Sequence, residues 1–151
     1  MLSVAETDDD PTVVASAGAL ERVLLNLILN AKDAMPGGGP VVLTCRNAVF
    51  GSHRPNANGE GRPGAFGVID VADQGVGIPA QNLERIFDPF FTTKEVGKGT
   101  GLGLATAQSI VRSCGGWIEV DSMVGVGTVF SVVLPLAAAT VASSEQSTPN
   151  P

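Results

Sequence analysis

The sequence predicts an α/β domain, and three stretches carry that expectation. From Ala19 to Met35 apolar residues return at helical spacing, whereas Phe66 to Ala72 is an apolar, β-branched run of strand length. Trp117 to Ser122 and Thr128 to Leu134 alternate on either side of Met123-Val124-Gly125-Val126-Gly127, the pattern of a hairpin. At 151 residues, 44% of them hydrophobic, the chain suits one domain with a real core.

Taken in order, residues 1–11 read as a flexible lead-in whose Asp8-Asp9-Asp10 is a solvated acidic run. Thr12 to Ser16 is a short candidate strand. In the helix from Ala19, Leu20, Val23, Leu24, Leu27, Ile28, Ala31 and Ala34 make one broad apolar face, and Pro36 to Pro40 stops it. Asn26, Asn30 and Asp33 form a second stripe, within about 60° of one another at about 100° per residue. Asparagine is a poor helix former. The stripe is either a polar margin facing water or a row of amide and carboxylate groups facing a ligand, and an amide oxygen suits Mg²⁺.

Val41 to Phe50 reads as a strand. The Gly-, Pro- and Asn-rich stretch from Gly51 to Gly64 reads as a surface loop, with His53 a surface histidine of no catalytic task. The strand ending at Ala72 delivers Asp73 to the start of Asp73-Gln74-Gly75-Val76-Gly77, the stretch around which the chain is organised. Gly75 and Gly77 let the backbone turn hard and approach a ligand. A carboxylate there can accept from an exocyclic amine, which adenine has and guanine lacks at that position; a mismatch costs about 1.5–3 kcal/mol. By itself the motif also fits a strand followed by a glycine turn.

Ile78-Pro79 leads into a short helix over about Ala80 to Ile86. Phe87, Phe90 and Phe91 then stand beside a glycine-rich run, either as a core cluster or as the anchor of a mobile flap. Gly99, Gly101 and Gly103 alternate straight into a helical pattern, Leu104 to Ser113. A glycine-rich turn at a helix N-terminus offers free N–H groups and a positive dipole end to phosphate. Lys94 and Lys98 either add charge there or are exposed flap lysines. Gly115-Gly116 ends the helix, and residues 136–151, rich in Ala, Ser, Thr and Pro, read as a disordered tail.

The net charge of −6 disfavours unspecific attraction to nucleic acid or anionic lipid, so neither a nucleic-acid partner nor direct membrane contact is expected. A phosphate ligand would then need local donors, a metal and a few lysines. Cys45 and Cys114 have no metal or disulfide spacing and read as reduced thiols of a cytoplasmic protein. No signal peptide is seen, and no apolar run approaches the roughly 20 residues that span a bilayer.

In this order the blocks resemble the catalytic ATP-binding domain of sensor histidine kinases, within the superfamily shared with gyrase, the mismatch-repair ATPase and the ninety-kilodalton heat-shock chaperone. Asn26 to Ala34 resembles the N box and Asp73 to Gly77 the G1 box. Phe87 to Lys94 resembles the F box, Gly99 to Leu104 the G2 box, and Gly125 to Phe130 the final glycine box. The resemblance covers Thr12 to Pro135, and the run from Phe87 to Trp117 is particularly like kinases of hybrid phosphorelay proteins.

It implies a two-layer α/β sandwich of the Bergerat type, a mixed sheet packed on helices, with ATP held between the layers under a mobile lid. By that analogy Asp73 takes the adenine amine, with Thr128 helping through water, and Asn30 ligates Mg²⁺ beside Asn26 and Asp33. Gly75, Gly77, Ile78, Phe87, Phe91 and Thr93 belong to the ATP site. Lys94, Lys98 and Gly99-Thr100-Gly101-Leu102-Gly103-Leu104 wrap the triphosphate. Asn26, Asn30 and Lys94 carry catalysis, which is mainly positioning and charge neutralisation.

Hydrolysing relatives place a water-activating Glu four residues before the metal Asn; here that position is Asn26, so slow spontaneous hydrolysis is expected. Asp33 stands where some relatives carry a phosphate-touching lysine, and Cys114 where many carry histidine. The chain also lacks a helical His-Glu or His-Asp with a following Pro. A kinase reading therefore implies a histidine-bearing dimerisation domain, in cis or in trans, and a response regulator or receiver domain downstream. The location implied is cytoplasmic, free or as the inner portion of a membrane-anchored sensor. Two alternatives share the fold: an anti-sigma-factor-type serine kinase, and a nucleotide-binding regulatory module without transfer activity.

Overall fold

A computed structural model describes residues 2–5, 11–13, 15–51, 61–92 and 101–136. The elements are β1 (Leu2–Ala5), α1 (Ala17–Asp33), β2 (Val41–Phe50), β3 (Gly64–Asp73), α2 (Ala80–Leu83), α3 (Gly103–Ser113), β4 (Trp117–Met123) and β5 (Gly127–Pro135). The strands form one sheet in the order β1-β2-β3-β5-β4. It is mixed, because β1 runs parallel to β2 while every other pair is antiparallel. The helices α1 and α3 pack against each other and against the sheet, giving the two-layer sandwich.

Each layer follows from its side-chain period. Val23, Leu27 and Ala31 of α1 and Ala107 and Val111 of α3 are buried at helical spacing. They meet Ile69 and Val71 of β3, Ile118 and Val120 of β4, and Phe130, Val132 and Leu134 of β5, which alternate onto the helix face. Asp73 and Thr128 are register partners at the end of the same ladder. The opposite face carries a second, smaller core of Phe50, Phe66, Val68, Trp117 and Val133. Phe66 meets Trp117 edge-on at 4.9 Å, the Arg62 guanidinium lies over both rings, and the Trp117 indole N–H donates to Glu119 at 3.0 Å.

Four local expectations change. Leu2–Ala5 is not loose lead-in but an edge strand, because parallel pairing with Val41 to Thr44 satisfies its backbone. Among its described residues Thr12 to Ser16 shows no strand: Val13 makes an isolated bridge to Leu136, and Ser16 is spent on capping. Its hydroxyl accepts from Ala19 N–H at 3.1 Å, so α1 starts at Ala17 rather than Ala19. The helix after Pro79 ends at Leu83, and single turns follow, with Arg85 N–H donating to Asn82 O and Asp88 N–H to Arg85 O. His53, the acidic run at 8–10 and the tail beyond 136 lie outside the described residues. Among the described residues no helix is long and apolar enough to cross a membrane.

Candidate functional site

A cavity of about 370 Å³ opens between α1 and the loop that leaves β3, a volume within the ordinary range for small-ligand sites. Asn26, Asn30 and Asp33 line it from α1, so the polar stripe faces the cavity rather than bulk water alone. Among the described residues neither asparagine amide is tied to another side chain or to the backbone, which leaves donors and acceptors for a ligand. Gly77 and Ile78 form the facing wall, together with Val76 and Pro79. Phe91, Gly101, Gly103 and Leu104 close a third side.

That third side is electropositive for a reason of sequence. Helix α3 begins with Leu102 as its N-cap, has no side-chain cap and carries no acidic residue in its first turn. Its first N–H groups, at Gly103 and Leu104, meet no partner among the described residues and lie on the cavity wall, with the positive end of the helix dipole behind them. By contrast α1, which points its N-terminus elsewhere, is capped by Ser16.

Asp73 does not line the cavity. It lies behind the loop wall, 7% exposed, and its Oδ1 accepts from Gly75 N–H at 2.8 Å. Burial raises its pKa above the ordinary carboxylate value, and the backbone N–H groups of Gly75 and Thr128 partly oppose that rise. Gly75 also lies off the wall, with Ala34 as the cause. A methyl group on Gly75 would come within 2.5 Å of the Ala34 carbonyl oxygen, and Val76 N–H donates to that same oxygen at 3.0 Å. The end of β3 is thus locked to the end of α1, and Asp73 and Asn30 belong to two sides of one junction. Gly77, at φ +77°, is pressed against Met123 and Val124 of the β4–β5 turn, whose Gly125 N–H donates to Val76 O at 2.9 Å. Close approach at both glycines is to the protein's own backbone.

The phenylalanines divide. Phe87 is buried in the main core, edge-on to Phe130 at 6.3 Å, while Phe91 reaches the cavity with Arg85 over its ring at 4.6 Å. Phe90 is 72% exposed and holds φ +69°. Its N–H donates to Gly101 O at 2.8 Å, and Gly101 lacks room for a side chain because the Phe90 backbone is there. Thr93, Lys94, Lys98, Gly99 and Thr100 lie outside the described residues, but both flanks of that segment, Thr92 and Gly101, stand on the cavity wall. Leu102 and Thr128 are off the wall; Thr128 Oγ1 lies 2.7 Å from Ser122 Oγ.

Several wall residues escaped the sequence reading. Leu29 could have been found, since it is apolar yet falls outside the core stripe of α1. Asn82, on a four-residue helix, carries no local signal, and neither does Ser122, which lies off the wall in an ordinary alternating strand but bonds to Ile78 on it.

A family model described as histidine kinase-, DNA gyrase B- and HSP90-like ATPase matches residues 15–138, and the chain belongs to that family. Its relatives there are sensor histidine kinases, and it is an ATPase-type domain of their kind. Sensor kinase CckA of Brucella abortus is 49% identical over 124 residues, covering 82% of this chain and 13% of that protein. The sensory histidine kinase/phosphatase NtrB of Rhodobacter capsulatus is 38% identical over 139 residues, covering 91% and 38%. Full-length ShkA, solved in complex with AMPPNP, superposes with a TM-score of 0.69 at 29% identity, covering 90% of this chain and 25% of that one. The chain thus spans a minor part of these proteins.

Proposed function

We propose that the cavity binds Mg–ATP and that the domain donates the γ-phosphoryl group to a histidine on a separate helical dimerisation domain. The observation that carries this is the opposition of two kinds of group across one cavity. The Asn26–Asn30–Asp33 stripe faces it from α1, and the uncapped first turn of α3 faces it from the other side. Oxygen and amide ligands on one wall and free N–H donors on the other suit a polyphosphate with its cation.

The donor set fits Mg²⁺ held through phosphates. Among the described residues no group of three or more His, Cys, Asp or Glu could hold a metal by itself. Asn30, with Asn26 and Asp33 nearby, would supply the protein's share of the ligands and the nucleotide the rest. When bound, the ion neutralises charge on the phosphates. The chain's own part is to orient the nucleotide: in this reading the base reaches past the loop wall to Asp73, which accepts from the adenine amine, while Phe91 and Ile78 cover apolar surface and Gly103 and Leu104 N–H groups meet phosphate oxygens. Lys94, Lys98, Gly99 and Thr100 add to the phosphate wrap in this reading.

In the transfer the bond between the γ-phosphorus and the β,γ-bridging oxygen breaks and ADP leaves. A bond forms from the partner's imidazole nitrogen to that phosphorus, and the imidazole proton goes to solvent. Asn26 is an amide and takes no proton from water, so the phosphoryl group is kept for the acceptor.

Labelled ATP supplied with and without a histidine-bearing helical partner tests the reading. Acid-labile, base-stable phosphate on the partner supports it. Acid-stable phosphate on a serine would favour the anti-sigma-type kinase instead, and binding without transfer would favour a regulatory module.

A further inference from the structure

Ser122 lies where three segments of the site meet. It is the register partner of Thr128 in the β4–β5 ladder, and Thr128 is the register partner of Asp73 in the β3–β5 ladder. Its Oγ accepts from Ile78 N–H at 2.8 Å, donates to Gly127 O at 3.1 Å and stands 2.7 Å from Thr128 Oγ1. A serine hydroxyl has one proton. The carbonyl of Gly127 can only accept, so the arrangement that keeps all three contacts as hydrogen bonds sends that proton there. The contact with Thr128 therefore runs the other way, with Thr128 donating to Ser122. With its proton so used, the Thr128 hydroxyl shows only lone pairs to any other neighbour. Ionised Asp73 is likewise acceptor-only.

We propose that Ser122 is a positioning residue for base recognition: by taking the Thr128 proton it makes Asp73 and Thr128 an all-acceptor pair, which favours a purine bearing an amine over one bearing a carbonyl. Its hold on Ile78 couples this polarity to the loop that walls the cavity. The inference rests on the cavity being a nucleotide site. It goes further in naming the residue that sets the sign of the hydrogen bonds behind the wall.

The test is competition between ADP and GDP for the full 151-residue chain, with the nucleotide-free melting temperature measured alongside. Ser122→Ala frees the Thr128 proton, and the ADP-over-GDP preference should fall by about tenfold, the value of one hydrogen bond. Ser122→Thr keeps a hydroxyl and should restore the preference. In a Thr128→Val background Ser122→Ala should lower the preference no further, because Ser122 acts through Thr128. If Ser122→Ala does not fold, Ser122→Cys keeps the volume, offers a poor acceptor and carries the same expectation. An unchanged preference in the Ala or Cys variant, or an equal loss for ADP and GDP, overturns the proposal. Failure of the unaltered chain to bind ADP would instead overturn the nucleotide reading, and this inference with it.

Discussion

Asp73 is the residue at which the proposed function and stability pull in opposite directions. Its carboxyl is buried, and burial raises its pKa in the folded chain above the unfolded value. A folded pKa above the unfolded one means that Asp73 favours folding fully below the unfolded pKa, and that this contribution is lost as pH rises through the folded pKa. Asp73→Asn keeps an acceptor for Gly75 N–H and removes the buried charge. The ligand-free variant should therefore melt no lower than the parent at pH 7, with the difference shrinking as pH falls toward about 4. It should also lose ADP binding, and undiminished thermal stabilisation by ADP would count against the assignment of Asp73. Asn30 makes the complementary case, on the open side of the junction. Asn30→Ala should cut Mg-dependent phosphotransfer by more than it weakens nucleotide binding; transfer at the parental rate would remove Asn30 from the metal site.

At the scale of elements, the site is a set of clamps between chain segments. Val76 is tied to the end of α1 and to the β4–β5 turn, and Gly101 to Phe90. A side chain at Gly77 would meet the backbone of Met123 and Val124, at a φ of +77° that L-residues rarely adopt. Gly77→Ala should therefore destabilise the ligand-free chain by about 1–3 kcal/mol, read as a shift in urea midpoint at constant slope. The start of α3 is the converse case, a helix end whose first donors meet no partner among the described residues where the cavity lies. A polar cap at Leu102 would satisfy those donors, and natural helices commonly have one.

For the whole molecule, the two layers serve to bring α1 and α3 to one cavity, with the sheet as the common support. Asn26 in place of a water-activating base sets the expected overall behaviour. The chain alone should turn over ATP slowly in steady state, and brisk phosphate release in a coupled assay would contradict the kinase reading. Only a histidine-bearing partner should draw the phosphoryl group away.

The sequence alone determined the α/β class, nearly every element and the polar stripe of α1. These are written in periods of about 3.6 and 2 residues and in glycine and proline punctuation, all of them local. It also carried the family resemblance, because the blocks keep their order along the chain. Tertiary structure decided that Leu2–Ala5 is a strand, that Phe87 belongs to the core while Phe91 reaches the cavity, and that Gly75 answers to Ala34. It alone brought Ser122 to Ile78. The reason is that each depends on which distant segment arrives beside the residue, and neither side-chain period nor turn chemistry encodes the identity of a neighbour forty residues away.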